Sequence, residues 1–435
     1  MLHNPMIKPV SYILLKIRQA AEAAHGYILG KRESRLYSAA QNKPIHPLSV
    51  TAREKSAIKN LLTGLLSAPA SSLRPAVPTL TERNRRICRE VEKATLEANR
   101  TNVTRTEAYR DIYFRHPELH WALLAHMVSR NGGWNMTDLK GELLPRLLDG
   151  RQAESIFRLL ERSNSLIFQD AYPQLLLYRE SVRSGENLFH LLPQFHVSRF
   201  MQPFWSRFWQ NRDPVPLTQA LIVNEQNYIE GRVVRDPWFR KHVIDTPFFR
   251  AQALLQLNQV VFPYYPQETG PRTNGASPML PPASPRLAGL VLENFADLSE
   301  RIEFGKKLYA ILFALADVHK GVLAFARTTK HTGSRADYWG HLFVPGSLPN
   351  PAGPYTERLE HCRLKKHAPK LCSPGLSQAW EERPIDPPER YDWCADLSML
   401  HYIGAGSPPR IFDITYEHCL GWNKIELAVL TEQNS

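Results

Sequence analysis

The sequence lacks the signatures by which several common enzyme classes are recognised. Its 435 residues contain no Walker phosphate loop, no Gly-rich dinucleotide turn, no nucleophile elbow and no HExxH helix. They also contain no internal repeat at the periods of the solenoid families. These absences argue against P-loop nucleotide hydrolases, Rossmann-type dehydrogenases, α/β-hydrolases, HExxH metalloproteases and repeat architectures.

Long apolar runs are absent as well. The most apolar segment, residues 306 to 327, is interrupted by Asp317, His319 and Lys320. A membrane span needs about 20 apolar residues, so this segment predicts a buried helix. The N-terminal residues 1 to 19 also lack the basic region, long apolar run and cleavage site of a secretory signal.

Cysteine is scarce. The chain has five cysteines, an odd number, and Cys88 lies far from the others. This usage is typical of a reduced protein, so we expect a cytoplasmic location. His361, Cys362, His367 and Cys372 have gaps that miss the short spacing of zinc knuckles, and we predict no metal there. The sequence leaves any cofactor unknown.

Blocks of like charge are missing too, although the chain is basic. It carries 54 Lys and Arg against 42 Asp and Glu, which gives a net charge of +12. This excess predicts an anionic partner such as nucleic acid, a phosphorylated ligand or an acidic membrane surface. Residues 198 to 212 interleave arginines with aromatics, which suits base stacking. The same spacing also fits a helical core stripe, which we favour.

What the sequence does contain is helix after helix. Apolar periodicity predicts a mainly α protein, a multi-helix orthogonal bundle with long Pro-rich loops and an irregular C-terminal extension. We place helices at 11–30, 51–66, 152–162, 170–183, 197–211, 216–231 and 247–262, helices again from about 287 to 327, and a short strand pair at 417–430. The predicted divisions are N-terminal amphipathic helices (1–66), a linker (67–82), a main helical body (83–343) with a Pro-rich insertion (264–286), and the extension (344–435).

Residues 116 to 141, "HPELHWALLAHMVSRNGGWNMTDLKG", form the most distinctive stretch. Asn131 and the glycine after it predict the end of a helix, and a new helix is expected to begin a few residues later in the sequence. His126 is either a hydrogen-bonded core histidine or a pocket residue. It lies six residues from His120, about 240° around a helix, so the two rings cannot share a metal. Binding candidates in this stretch are His120, Asn131, Trp134 and Asn135.

Residues 223 to 232, "VNEQNYIEGR", supply the acidic candidates. Asn227 and Glu230 share one helical face, and Glu225 lies elsewhere. If buried near His126, these carboxyl groups could serve acid–base chemistry, so His126, Glu225 and Glu230 are the catalytic candidates and Asn227 a binding candidate. The alternative is a partly solvated face whose glutamates pair with neighbouring arginines.

Residues 331 to 343, "HTGSRADYWGHLF", form a loop after a long buried helix. Loops held by rigid helices often carry binding groups. The binding candidates are His331, Arg335, Asp337 and His341. The alternative is a loop that merely docks through its aromatic side chains.

Four stretches together resemble a known family. "NVTRT" (102–106), the stretch at 116–141, "VNEQNYIE" (223–230) and "HTGSRADYW" (331–339) are similar to the YppC-like proteins of bacillus-type bacteria, a domain of unknown function. The resemblance covers residues from about 85 to the C-terminus. It implies a bacterial, cytosolic home and carries no activity or site residue.

Two hypotheses for function follow. The leading one is a cytosolic helical binding or scaffold protein for an anionic partner, because of the basic charge and the Arg/aromatic segment. The alternative is a hydrolase-type enzyme with a polar His/Glu/Arg pocket between helices, which requires the candidate groups to converge.

Overall fold

The structure is a computed structural model. It describes residues 28, 30–39, 48–67, 80–251, 258–266, 280–281, 284–346, 353–388 and 392–433. The predicted helix at 11–30, the linker at 67–82 and the Pro-rich insertion at 264–286 lie mostly outside these residues.

The fold is mainly α, as the apolar periodicity predicts. The longer helices are Ala52–Ser67 (α1), Glu82–Ala98 (α2), Asn102–Arg115 (α3), His120–Asp138 (α4), Gly150–Ser184 (α5), Met201–Asn211 (α6), Pro214–Ile229 (α7), Leu298–Ala314 (α8), Ala316–Thr328 (α9) and Thr415–Glu432 (α10). Shorter helical segments are Leu144–Arg146, Phe189–Phe195, Glu230–Val234, Pro237–Phe239, Arg240–Ile244, Pro247–Ala251, Ala336–Trp339, Leu376–Ala379 and Ser398–Tyr402, and residues 30–39 are also helical. The strands are Gln259–Tyr264 (β1), Arg286–Val291 (β2), Phe343–Val344 (β3), Leu359–Glu360 (β4), Arg363–Leu364 (β5) and Leu371–Cys372 (β6).

Helix α4 lies at the centre of the body. It packs against α3, α5, α7, α8 and β1. It is apolar on nearly all sides, and Trp121, Met127 and Trp134 are at most 1% exposed. A helix with this composition is stable only when it is surrounded by other elements, which is the position that α4 occupies.

Helix α5 replaces two predicted helices, at 152–162 and 170–183. It begins at a capping box in which Asp149 accepts hydrogen bonds from the first turn, and it ends at Gly185, whose φ is 71°. The polar residues between the two predicted helices do not break it, because Ser163 and Asn164 donate to carbonyls one turn back in the same helix.

An antiparallel hairpin stands where the sequence predicted helix. Strand β1 pairs with β2 from Gln259 opposite Val291 to Tyr264 opposite Arg286. The predictions of helix at 259–262 and at 287–291 are therefore wrong, whereas helix Pro247–Ala251 and helices α8 and α9 agree with the rest of the predicted ranges. Adjacent β-branched residues favour a strand in β1, and Pro263 cannot donate within a helix. Gly289 allows close pairing, since a Cβ there would lie 2.0 Å from the carbonyl oxygen of Val260.

The C-terminal tail is a helix, α10, so the predicted strand pair at 417–430 is wrong. Its buried residues Cys419, Trp422, Ile425 and Val429 recur at helical spacing. The segment before it is anchored by Asp413, which accepts two hydrogen bonds from the Arg286 guanidinium at 2.8 and 2.9 Å. One continuous core extends from Leu48 to Val429.

The cysteines are not all reduced. Cys362 and Cys419 form a disulfide that joins the turn between β4 and β5 to α10, which corrects the expectation from the sequence. Cys88, Cys372 and Cys394 take no part in this disulfide. Among the helices that the structure describes, none is long and apolar enough to cross a membrane.

Candidate functional site

The candidate site is organised by a pair of glycines within α4. The predicted helix end at Asn131 and Gly132 is wrong, because α4 continues to Asp138. A Cβ on Gly132 would lie 3.1 Å from the Asn164 amide nitrogen, and one on Gly133 would lie 2.4 Å from Asn102 Oδ1. Each glycine therefore lets a side chain from another helix approach the backbone of α4. Asn164 and Asn102 lie against two different faces of α4.

The first face borders a space of about 250 Å³ between α4, α5, α7, α8 and β1, which we call the Glu225 pocket. Its apolar lining includes Leu124, Ala125, Val128, Leu160, Ile167, Ile229, Phe249, Phe304 and Leu308, and its polar lining includes Tyr109, Trp121, Asn131, Asn135, Asn164, Glu225, Gln226, Asn258 and Arg301. An apolar cavity of about 150 Å³ holds benzene, so this pocket has room for a substituted ring.

Glu225 is the one acidic side chain among the described residues that line this pocket. Its carboxyl oxygens accept hydrogen bonds from Trp121 Nε1 at 3.2 Å and Gln226 Nε2 at 3.1 Å. The side chain keeps some accessible surface because it borders the pocket, yet protein surrounds it. Burial raises the pKa of Glu225 to about 8. The group is therefore mostly a neutral acid at pH 7.

A series of hydrogen bonds and ion pairs holds the Glu225 side chain in place. Gln226, which donates to Glu225, accepts a hydrogen bond from Arg301 Nε at 3.0 Å. Arg301 also pairs with Glu230, and Glu230 pairs with Arg235 at 2.7 Å. Glu230, a predicted catalytic candidate, is thus an ion-pair partner that positions Arg301. Of the two predicted acids, Glu225 alone lines the pocket.

Among the described residues, two polar atoms beside the pocket have no hydrogen-bond partner. They are the hydroxyl of Tyr109 and the amide oxygen of Asn258, both buried. The ring of Tyr109 packs edge-on against Trp121 with centroids 5.4 Å apart, so Tyr109 and Glu225 flank the same indole. A buried hydroxyl without a partner costs about 1–3 kcal/mol.

His126 does not reach the Glu225 pocket. Its Nδ1 lies 2.8 Å from the carbonyl oxygen of Thr106, and its Nε2 accepts a hydrogen bond from Arg130 Nε at 3.0 Å. Nδ1 must therefore carry the proton. Burial and the nearby Arg130 charge hold the pKa of His126 well below its ordinary value. Both ring nitrogens of His126 are hydrogen-bonded. Of the two alternatives, His126 is therefore a core histidine and not a residue of this pocket.

Asn102 and His331, which contact the second face of α4 at Gly133, also line a cleft of about 960 Å³, which we call the His331 cleft. His331 Nε2 lies 2.9 Å from Asn102 Oδ1, and its Nδ1 lies 3.5 Å from Asp337 Oδ2. Asp337 accepts hydrogen bonds from Trp134 Nε1 at 3.2 Å and from the backbone of Thr332 at 2.9 Å. Burial lowers the pKa of His331. The predicted residues His331 and Asp337 therefore do come together, and they contact each other in the wall of the cleft.

Arg335 links the loop to the C-terminal turn of α4. Its guanidinium donates to Asp138, to Asn135 at 2.8 Å and to the hydroxyl of Tyr338 at 2.8 Å. Asn135 also borders the Glu225 pocket. The sequence placed Arg335 and Asn135 in separate motifs, and the structure brings them into direct contact.

The remaining predicted residues hold structure together. His120 stacks on Phe313 at 3.9 Å, and burial lowers its pKa to about 3. The Asn131 amide donates to Gln259 and accepts from Val261, so it holds the edge of β1. Asn227 donates to the carbonyl of Val223 in its own helix. His341 lies against the carbonyl of Cys362 at 3.2 Å, and burial lowers its pKa to about 4.

Several pocket residues escaped the sequence analysis: Tyr109, Trp121, Gln226, Asn258 and Arg301. Trp121 follows His120 in the sequence, and Gln226 follows Glu225, so proximity to a predicted candidate could have identified both. Tyr109, Asn258 and Arg301 come from other elements and carry no local motif.

A metal centre has no support in the part of the chain that the structure describes, where no three His, Cys, Asp or Glu side chains are grouped closely enough to hold an ion. Cys362, one of the four residues considered for zinc, is consumed by the disulfide.

Comparisons with known proteins agree with the resemblance carried by the four stretches. A family model described as a protein of unknown function (DUF2515) matches residues 97–402. The uncharacterised protein YppC of Bacillus subtilis (strain 168) is 43% identical over 253 residues, which cover 58% of this chain and 73% of that relative. No solved structure gives a significant match. The matched range includes both faces of α4.

Proposed function

The chain belongs to the DUF2515 family of proteins of unknown function, and we propose that it binds a small, uncharged, mainly apolar molecule in the Glu225 pocket. The observation that carries this proposal is the Glu225 carboxyl set in a mainly apolar wall. Pockets that bind small molecules typically combine apolar lining with a few convergent polar groups. The neutral state of Glu225 and the pairing of Arg301 with Glu230 both favour an uncharged ligand.

A hydrolase-type reaction is the weaker candidate. Glu225 would serve as a general acid, since its pKa is raised to about 8. The histidines expected to assist it, His126 and His331, lie against Thr106 and Asn102 and do not line the pocket. Binding therefore explains more of the arrangement than acid–base catalysis does.

An anionic partner has less support than the sequence suggested. In residues 198 to 212 the aromatic side chains Phe204, Trp205 and Phe208 are at most 1% exposed. Arg199 pairs with Asp392, and Arg207 pairs with Glu54. This segment supports the core stripe interpretation.

The cytoplasmic location stays a proposal from the sequence. The disulfide between Cys362 and Cys419 argues against it, because disulfides persist mainly in oxidising compartments.

The proposed function is tested by titrating ethylbenzene into the full chain and following heat release and the unfolding temperature. We expect saturable binding that raises the unfolding temperature. Ala125→Leu should abolish binding, because Ala125 lines the pocket and the larger side chain fills it. Ala52→Leu, an exposed substitution in α1, is the matched control. Equal binding by both variants, or none by the parent protein, would refute the proposal.

A further inference from the structure

We propose that the molecule in the Glu225 pocket is an unbranched aliphatic chain with an uncharged head group, and that the side chains of Asn135 and Asn164 hold this head group at one end of the pocket. The head group both donates and accepts a hydrogen bond, as an alcohol or a primary amide does. This inference rests on the proposed function and names the shape and the chemical class of the ligand.

The pocket is long rather than compact. Its lining follows one face of α4 through Trp121, Leu124, Ala125, Val128, Gly132 and Asn135. These positions cover about four helical turns, or roughly 21 Å along the axis. A compact space of about 250 Å³ would border only about two turns of one helix. A narrow, extended chain therefore matches the lining better than a rounded molecule does.

Contacts identify the two ends of the pocket. Trp121 donates a hydrogen bond to Glu225, so Glu225 marks one end. The Asn164 amide lies against Gly132, so Asn164 and the nearby Asn135 mark the other end. Trp121 and Gly132 are separated by roughly 16 Å along the helix axis. The side chains that line the pocket between these ends include Leu124, Ala125 and Val128, which form an apolar wall for an aliphatic chain.

The polar groups at the Glu225 end already bond to each other. The Glu225 oxygens accept hydrogen bonds from Trp121 and Gln226. The Gln226 oxygen accepts one from Arg301, which also pairs with Glu230. We therefore place the ligand's head group at the opposite end.

Asn164 and Asn135 each have one amide atom left for a ligand. The Asn164 nitrogen donates to the carbonyl of Leu160 at 2.7 Å, which leaves its oxygen as an acceptor. The Asn135 oxygen accepts from the Arg335 guanidinium at 2.8 Å, which leaves its nitrogen as a donor. Because a carbonyl only accepts and a guanidinium only donates, these partners fix the orientation of both amides. Among the described residues, neither remaining atom has a hydrogen-bond partner, and neither is fully buried.

These two atoms are placed to meet a ligand. Both side chains are half-buried and line the pocket. Arg335 reaches Asn135 from the side of α10, where its guanidinium lies 5.5 Å from the centre of the Trp422 ring. The oxygen of the Asn135 amide therefore faces α10, and its nitrogen is at the other end of the amide group.

One donor and one acceptor together select an uncharged head group. A hydroxyl or a primary amide can donate to the Asn164 oxygen and accept from the Asn135 nitrogen. A carboxylate has no proton for the Asn164 oxygen, and it would bring a charge into a mainly apolar pocket. An ammonium group has no acceptor for the Asn135 nitrogen.

The shape of the ligand is tested by calorimetric titration of the full chain with 1-hexanol, 1-octanol and 2-propyl-1-pentanol. 1-Octanol should bind roughly tenfold more tightly than 1-hexanol, because it buries two more methylene groups. 2-Propyl-1-pentanol has the same atoms as 1-octanol in a shorter, branched chain. It should bind roughly fivefold more weakly than 1-octanol, because it cannot extend along the lining. Equal binding of the two isomers would overturn the elongated shape.

The head group is tested with 1-methoxyheptane, another isomer of 1-octanol, whose oxygen can accept a hydrogen bond but has no proton to donate. 1-Octanol should bind roughly three- to tenfold more tightly than this ether. Asn164→Leu removes the acceptor at similar size, so it should abolish the preference while leaving binding of the ether unchanged. The unchanged ether binding shows that the variant is folded with its pocket intact.

Asn60→Leu, an exposed substitution in α1, is the matched control and should keep the preference for 1-octanol. A preference that persists in Asn164→Leu would overturn the assignment of the head group to this end of the pocket. Tighter binding of octanoate than of 1-octanol and octanamide would overturn the uncharged class.

The outcomes also separate this inference from the proposed function. If ethylbenzene binds but neither chain length nor the hydroxyl changes the affinity of the alcohols, the chain inference fails and the proposed function stands. If none of these molecules binds, the proposed function itself fails.

Discussion

At the scale of single residues, two glutamates five positions apart have opposite environments. Glu230 lies beside the guanidinium groups of Arg301 and Arg235, whereas Glu225 has an indole and an amide as its partners. A nearby cation stabilises a carboxylate, while burial without one favours the neutral acid. The surroundings therefore make one residue an ion-pair anchor and the other a buried acid.

The titration of Glu225 should make the folded protein less stable as pH rises. Burial raises its folded pKa to about 8, whereas an unfolded glutamate titrates near about 4.3. Between these values the folded state holds a proton that the unfolded state has released, so the stabilisation present at low pH is lost by up to roughly 1.4 kcal/mol per pH unit. Glu225→Gln should remove this slope, as measured by urea unfolding from pH 5 to 8.

Other titrating groups face Glu225, namely Asp170 and Tyr109, and they remain in the variant. Burial raises the pKa of Asp170 to about 7, so its own slope is present in both proteins and the comparison removes most of it. Glu381→Gln, an exposed substitution, is the control and should leave the slope unchanged. Parallel curves for Glu225→Gln and the parent protein would contradict the assignment of Glu225 as a buried acid.

At the scale of elements, α4 shows how tertiary contacts override a local signal. Asn-Gly-Gly is a sound helix-end pattern, because glycine readily adopts the left-handed conformation. Here both glycines stay helical, since the absent side chains make space for Asn164 on one face and Asn102 with His331 on the other. Likewise, the hairpin of β1 and β2 depends on a partner strand more than 20 residues away, which periodicity within one segment does not reveal.

The two glycines should respond differently to alanine. Gly133→Ala should destabilise the protein by roughly 1–3 kcal/mol, because the new Cβ would lie 2.4 Å from Asn102 Oδ1 and 2.6 Å from His331 Nε2. Gly132→Ala is the matched control. Its Cβ meets only the end of the Asn164 side chain, and a gain of about 1 kcal/mol in helix propensity offsets that contact. Equal midpoints of urea unfolding for the two variants would contradict the explanation that glycine is needed at position 133 for the close approach of Asn102 and His331.

At the scale of the whole molecule, the helical residues 30–39 contact the segment just before α10. Ser38, in the helical residues 30–39, accepts hydrogen bonds from the backbone of Phe412 and Asp413, and the Arg286 guanidinium lies 3.9 Å from the centre of the Tyr37 ring. These N-terminal and C-terminal residues lie outside the range that the family model matches, apart from Arg286. They close over the hairpin that forms one wall of the Glu225 pocket.

The disulfide should be measurable as a thiol count and as stability. Alkylation of the unfolded, unreduced protein should label Cys88, Cys372 and Cys394, and reduction should add Cys362 and Cys419. Because the bond closes a separation of 57 residues, replacing Cys362 with alanine should cost about 4 kcal/mol in the chain-entropy model. Replacing Cys372, which takes no part in the disulfide, with serine is the control. Five labelled thiols before reduction would restore the reduced state that the sequence predicted.

The sequence by itself determined the helical class, because apolar periodicity is a property of each segment and survives wherever that segment is packed. This periodicity predicted helices α1, α6 and α7. The residues of the stretches 116 to 141 and 223 to 230 also marked them as distinctive without the structure. Only the tertiary structure decided which polar groups meet: Glu225 with Trp121 and Tyr109, His126 with Arg130, and Glu230 with Arg301. Spacing along a chain sets which way a side chain faces on its own helix, whereas burial and partners depend on the other elements packed against it.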